Sequence, residues 1–333
     1  MAFHYVKEKA LQNLCRLNYM EMIPPRDGYG KALLKLCGED SRVVVLDADV
    51  AKSTRTIWIK EQYPDSFIDM GISEQDMIGT AAGLAMTGMI PFASTYSAFL
   101  TGRAYDQIRS AVCHDNLNVK MGGAHAGFSV GTDGSVHQSL EDIALMRVLP
   151  NMTVVVPCDA LQVEKAVYAV KDIDGPCFIR FGREAVPVLT DESTVFELGK
   201  ARVIKNGHDI AVIANGIMVS EAIKAEEILA AKGISVLLAD MHTVKPIDRE
   251  FLLEAAKITG AVVTAEEHQK AGGLGSAVAE FLGENHPVPV LPVGADDIFG
   301  ESGMPEELMA KYGLTAEKIV SAALRALELK NRK

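Results

Sequence analysis

The strongest constraint on the fold is an alternation of short apolar runs with stretches of helical spacing. RVVVLDADV from Arg42 is apolar without the in-and-out pattern of a strand that has one face in water. Such runs fit parallel strands covered on both faces. Val119 to Gly123, MTVVVPCD from Met152 and GPCFIRFGRE from Gly175 also read as strands. Between them, helices are predicted over Asp27 to Leu36, Asp76 to Met86, Arg103 to Val112, Leu140 to Val148 and Ala160 to Ala169. Val186 to Leu198 shifts toward prolines, threonines and acids, and then the alternation resumes. DIAVIANG, a helix from Val219 to Lys232, ISVLLAD, a helix from Arg249, GAVVTAEE and VPVLPVGA predict a second parallel sheet. A last helix, Ala316 to Leu329, carries Ile319, Val320, Ala323 and Leu327 on one face. The expected class is α/β with two doubly wound domains, residues 24–190 and 199–333, joined by a linker over 191–198. Residues 1–23 read as an N-terminal arm, weakly helical at Leu11, Leu14, Cys15 and Leu17 and ended by Pro24 and Pro25.

Composition removes several function classes. A net charge of −11 disfavours a nucleic-acid footprint, which needs a basic face. Cys15, Cys37, Cys113, Cys158 and Cys177 are odd in number, widely spaced and without a CxxC pair, so reduced thiols are expected rather than a disulfide framework or a zinc site. The first residues lack the apolar core of a signal peptide, and no run of eighteen apolar residues occurs. A cytoplasmic protein without membrane association is the expectation.

Candidate chemistry concentrates at predicted strand ends. FIDMGISEQ runs from a strand into a turn and places Glu74 at a helix start, and IPFASTYSAF reads as a second strand ending in Tyr96 and Phe99. A carboxylate and two aromatic rings can hydrogen-bond and stack a flat heterocycle. An acidic residue in the first turn equally serves the helix itself. Asp47, Asp49 and Ser53 follow the strand from Arg42, where parallel sheets place their ligands. A glycine-rich loop with Gly122, Gly123, Gly127, Gly131 and Gly134 is bracketed by His125 and His137, with Asp133 between them. Such side chains can contact hydroxyls and move protons near neutral pH. Two histidines across a flexible loop, with no third ligand evident, do not make a metal site. Arg180 and Arg183 divide between pairing inside the protein and reaching the site. GGLG at Gly272 lacks the full GxGxxG pattern and reads as a tight helix entry. Glu266, Glu267 and His268 read as solvated charge.

GISEQ, then STYSAF, then HAGFSVGTDGSVHQ closely resembles the pyrimidine-binding domain of the transketolase family, and the similarity runs from Pro24 to about Leu329. The resemblance implies a thiamin-diphosphate pyrimidine-binding domain followed by a transketolase C-terminal-like domain. It implies Glu74 as the group sharing a proton with the cofactor's aminopyrimidine, and Tyr96, Phe99 and Asp49 around that ring. It further implies Arg26, Ser53 and Arg183 on a substrate phosphate, His125 at the substrate and reacting carbon, Asp133 on a donor hydroxyl, and His137 as a hydroxyl contact or proton shuttle. Two positions depart from typical transketolases: Tyr96 replaces a phenylalanine, and Gly102 stands where a further aromatic is common. YSAFLTGRAYDQ is closer to deoxyxylulose-phosphate synthases, which share this domain.

The family's GDG motif, followed about thirty residues later by an asparagine, belongs to the domain that binds the diphosphate and its metal, and no GDG occurs here. The resemblance therefore implies the C-terminal subunit of a split transketolase. Mg2+ or Ca2+ would be ligated by an N-terminal partner subunit in an α2β2 assembly, with self-association through both domains and sugar phosphates as substrates. Two other readings stand beside it. One is a β subunit of a 2-oxo acid dehydrogenase or a deoxyxylulose-phosphate-synthase-like enzyme, against which the two-histidine loop argues. The other is a non-catalytic assembly subunit.

Overall fold

The computed structural model describes residues 20–332, so the pattern at Leu11, Leu14, Cys15 and Leu17 lies outside the described residues. The chain forms β1 (Met22–Ile23), β2 (Val43–Asp47), β3 (Phe67–Asp69), β4 (Ile90–Tyr96), β5 (Lys120–Ala124), β6 (Thr153–Val155) and β7 (Cys177–Arg180). It continues through β8 (Val186–Pro187), β9 (Arg202–Lys205), β10 (Ile210–Ala214), β11 (Val236–Asp240), β12 (Thr243–Lys245), β13 (Val262–Gln269) and β14 (Val290–Ala295).

Among the described residues the first sheet has seven strands in the order β12-β6-β7-β5-β4-β2-β3, all pairs parallel except β12 with β6. The second has the order β14-β13-β10-β11-β9, with only β9 antiparallel. Both are covered on two faces, as their apolar runs require. Val43 and Val45 pack with Tyr29, Leu33 and Val163 on one side of the first sheet, while Val44 and Leu46 pack with Met77, Ala81 and Met121 on the other. In the second sheet Ile210 and Val212 face Val219, Ile319 and Ala323, and Ala211 and Ile213 face Leu252 and Val278. Among the described residues no helix is long and apolar enough to cross a membrane.

Several local expectations need correction. The helix expected from Asp76 begins at Glu74 and runs to Met86. β4 stops at Tyr96, and Phe99 lies on the helix Ser97–Arg103 rather than in the strand. The helix expected from Arg103 is a short turn, Tyr105–Gln107, followed by a π-helical segment, Ile108–Cys113. Leu140 to Val148 contracts to a helix over Asp142–Arg147. β8 lies within the proline-rich stretch and pairs with β1. β12 crosses from the second half of the chain to become an edge strand of the first sheet, a tertiary pairing with no local signature.

β2, β3, β4, β5 and β7 run parallel, so their carboxyl ends share one rim. The candidate residues following these strands are collected there, where open parallel sheets bind ligands.

Candidate active site

The loop after β2 is shaped from beneath by Asp47. Its buried carboxylate accepts from the Val50 amide at 2.7 Å and from the Thr54 and Thr56 hydroxyls at 2.8 Å each. Burial pushes this carboxyl up to about 6 against those donors. The loop presents Ser53 inward, while Asp49 is exposed in left-handed backbone with φ 62°. Left-handed non-glycine residues are uncommon and concentrate where surrounding structure enforces them. An ion pair between Arg55 and Asp27, 2.6 Å, ties this loop to the helix Pro25–Glu39, whose first turn carries Arg26. Arg26 Nη1 donates to the Ser53 carbonyl at 3.4 Å and lies 3.5 Å from His125 Nε2.

His125 follows β5 with φ 54° and is 2 % exposed. Burial, aided by the positive charge of Arg26 and Arg183, pulls its imidazole down to about 3, so the ring is neutral near pH 7. A guanidinium can only donate, so Nε2 is the accepting nitrogen and the ring proton belongs on Nδ1, which is buried and, among the described residues, has no hydrogen-bond partner. The ring stacks on Tyr96 with centroids 4.5 Å apart and planes 20° apart. The hydroxyl that distinguishes Tyr96 from phenylalanine meets Ser53 Oγ at 2.9 Å. His137 sits edge-on to Tyr96 at 5.7 Å and to Phe99 at 5.1 Å, and its Nδ1 is also buried without a partner, as is Arg26 Nε. Arg183 donates to Asp133 at 2.8 Å and to the Val130 carbonyl at 3.3 Å, with Glu184 3.3 Å away.

Glu74 stands at the start of its helix with 4 % exposure, and its carboxylate accepts from Arg103 Nη1 at 3.0 Å. The Arg103 guanidinium carbon lies 4.0 Å from the centroid of the Phe99 ring. A planar, donor-bearing group is thus set on an aromatic face with an edge toward a buried carboxylate. A flat heterocycle whose ring nitrogen shares a proton with the carboxyl can make the same pair of contacts.

The structure therefore brings Arg26, Ser53, Tyr96, Phe99, His125 and His137 into one continuous set of contacts. Asp133 and Arg183 form a pair on the same loop side, and Glu74 joins through Arg103 and Phe99. Asp49 makes none of these contacts. Arg103 was missed by sequence reasoning; its only signal was a cation one helical turn beyond Phe99, in place of the aromatic absent at Gly102. Among the described residues, no group of three or more His, Cys, Asp or Glu side chains is placed to hold a metal ion.

Arg180 and Arg183 differ in their surroundings: Arg183 is part-buried and ion-paired with Asp133 and Glu184. Arg180 is 5 % exposed and pairs with Asp142 at 2.9 Å, inside the protein. Glu266, Glu267 and His268, by contrast, are not solvated charge: they are 0 %, 3 % and 0 % exposed. Glu266 accepts from the Leu274 and Gly275 amides at 2.7 and 2.8 Å, filling the helix entry at GGLG with a carboxylate of the chain itself. His268 accepts from the Ala144 amide at 3.3 Å through Nε2 and donates through Nδ1 to the Gln269 carbonyl at 2.7 Å. The apolar run GAVVTAEE continues straight into these residues, so β13 carries them into the core, where the burial penalty is met by internal donors.

Residues 21–188 match the family model for the transketolase pyrimidine binding domain, and residues 199–319 match that for the transketolase C-terminal domain. A 6-deoxy-6-sulfo-D-fructose transketolase subunit, SqwH, from Clostridium sp. (strain MSTE9) is 45% identical over 306 residues, 92% of this chain and 95% of that protein. A subunit of an apulose-4-phosphate transketolase from Phocaeicola vulgatus is 38% identical over 304 residues, 91% of this chain and 97% of that protein. A solved structure described as a split gene transketolase, inactive beta4 tetramer, superposes with a TM-score of 0.87 at 50% identity, covering 92% of this chain and 99% of that one. The chain belongs to the transketolase family and carries its pyrimidine-binding and C-terminal domains.

Proposed function

We propose that this chain is the pyrimidine-binding subunit of a split, thiamin-diphosphate-dependent transketolase that transfers a two-carbon ketol unit from a ketose to an aldose. The observation that carries the reading is the seat of Arg103, because the Glu74 carboxylate and the Phe99 face already hold a flat donor there. An aminopyrimidine has the same planar shape, and its ring nitrogen can meet the Glu74 carboxyl across one shared proton, so the residues present fit that half of the cofactor. When bound, thiamin diphosphate would supply the electron sink for carbon–carbon cleavage.

The chain's own residues bind and orient. Glu74 would share a proton with the ring nitrogen and Phe99 would support the ring beside Tyr96, while a cofactor role for Asp49 rests on the family resemblance alone. His125 offers an unpaired Nδ1–H to a substrate oxygen while Arg26 fixes its tautomer. His137 has a free ring nitrogen for a hydroxyl, and Asp133 reads a second hydroxyl once Arg183 is drawn to substrate. Arg26, Ser53 and Arg183 would hold an anionic group at the far end of the sugar, where a planar guanidinium meets phosphate or sulfonate oxygens in pairs. Two relatives are named for sugars of that kind, one sulfonated and one phosphorylated.

The diphosphate and its divalent metal need several oxygen ligands, which we assign to a GDG-bearing partner chain in an α2β2 complex. Its working compartment is proposed to be the cytoplasm, where the buried free thiols of Cys37, Cys113, Cys158 and Cys177 stay reduced. Co-expression with a GDG-bearing partner, followed by a panel of ketoses and aldoses with thiamin diphosphate and Mg2+, tests the reading. Two-carbon transfer between anionic sugars is expected. Pyruvate decarboxylation with no ketose cleavage would overturn it in favour of the 2-oxo acid or deoxyxylulose-phosphate reading.

A further inference from the structure

The geometry points to Glu267, in the second domain, as a positioning residue for the loop that carries His125, Asp133 and His137. Its carboxylate reaches out of β13 and lies under the first turn of that loop. Oε1 accepts from the Ser129 amide at 2.6 Å, and Oε2 accepts from the Ser129 hydroxyl at 3.2 Å. Gly127 is in left-handed backbone with φ 85°, and a Cβ added there would overlap the Glu267 carboxylate. Loop and carboxylate therefore fit only with glycine at that position.

The same hub closes the loop at its other end. The Gly127 amide donates to the Ser139 carbonyl at 2.9 Å, and Arg180 Nη2 donates both to that carbonyl at 3.3 Å and to the Glu267 carbonyl at 2.7 Å. Arg180 is held in turn by Asp142, which also accepts from Ser97, the residue after Tyr96, at 2.6 Å. One buried network thus spans the second sheet, both ends of the histidine loop and the base of the aromatic pair. Further along, Gln138 Nε2 donates to the Glu301 carbonyl at 2.9 Å, Ser302 Oγ donates to the Thr132 carbonyl at 2.8 Å, and Phe128 stacks on Tyr312 at 4.2 Å. The back of the loop is built on the second domain, while its front bears the histidines.

A fully buried carboxylate is costly, and burial pushes Glu267 up to about 7, with Asp142 acting in the same direction and Arg180 and the Ser129 donors opposing. A neutral apolar side chain would join the two domains with less electrostatic cost, but it would leave the Ser129 amide without an acceptor. What the carboxylate adds is a fixed position for residues 127–129, two residues from His125.

The inference rests on the reading of His125 and His137 as substrate contacts, and the test separates the two. Amide hydrogen exchange is measured on the assembled complex for wild type, Glu267→Ala, Glu267→Gln and Ser129→Ala, with kcat and KM measured well below the melting temperature. Glu267→Ala is expected to speed exchange across residues 127–139 about tenfold while leaving residues 71–103 unchanged, and to lower kcat/KM by a similar factor. Glu267→Gln, which retains an acceptor, is expected to restore part of both. Should Glu267→Ala fail to fold, Ser129→Ala is expected to shift both readouts several-fold in the same direction. Unchanged exchange in the folded variants overturns the inference, and so does a loosened loop with unaltered kcat/KM. Loop loosening in the variants of a complex whose wild type has no sugar-transfer activity would sink the functional reading instead.

Discussion

Two carboxylates stand beside the first turn of a helix, one at the rim of each sheet, and their surroundings differ. Glu266 has both oxygens bound by amides of the helix it precedes, and no part of it reaches solvent. Glu74 is almost as buried, yet its partner is a half-exposed arginine that arrives from another helix. The same contrast separates the two histidine-bearing clusters. His268 has both ring nitrogens satisfied, whereas His125 and His137 each keep a buried nitrogen without a partner. A polar cluster with every bond answered by its own chain is architecture. One with bonds left open can still bond a ligand.

Substituting each glutamate in turn should separate these roles most widely. In the assembled complex Glu74→Gln is expected to reduce turnover by at least about 100-fold with folding intact, as loss of a proton-sharing group does. Glu266→Ala is expected to destabilise the chain by roughly 3 kcal/mol, leaving two buried amides unsatisfied, and to spare kcat below the melting temperature. Steady-state kinetics paired with thermal melts would reveal a reversed pattern. Smaller, but aimed at the substrate end, is Arg183→Ala. An increase in KM of roughly tenfold is expected for a phosphorylated or sulfonated ketose, and little change for an uncharged one. Equal losses on both would remove the anion-binding role.

Arg103→Met probes the open carboxylate itself. If the guanidinium must yield its seat to the aminopyrimidine, removing it should tighten thiamin diphosphate binding by the complex a few-fold, read by calorimetry; weaker binding would mean that Arg103 stays to hold the ring. The smallest effect concerns His125. Its folded-state pKa lies below the ordinary histidine value of 6.5, so its contribution to stability is present above that value and is lost as pH falls toward about 3. Between pH 5 and 8 its ring should therefore show no titration by NMR, and an inflection near 6.5 would contradict its burial beside Arg26 and Arg183.

Much of this was legible in the sequence, because the informative signals were local. Strand ends follow from apolar runs, and Arg26, Ser53, Tyr96, His125 and Arg183 lie just beyond such runs or at the first turn of a helix. What was hidden depends on partners distant in the chain. Glu266, Glu267 and His268 look solvated until Arg180, Ser129, Ala144 and Leu274 come to meet them. Phe99 sits on a helix although STYSAF has strand-like composition, because the chain turns helical immediately after Tyr96. β12 could not be assigned to the first sheet because its pairing with β6 bridges residues about ninety positions apart.

A cofactor site divided between two chains makes a thermodynamic demand, which calorimetry can check by titrating thiamin diphosphate with Mg2+ into this chain alone and into its complex with a GDG-bearing partner. The single chain is expected to show no tight binding, and the complex to show saturable binding accompanied by sugar transfer. Tight binding and turnover by the single chain would contradict the division.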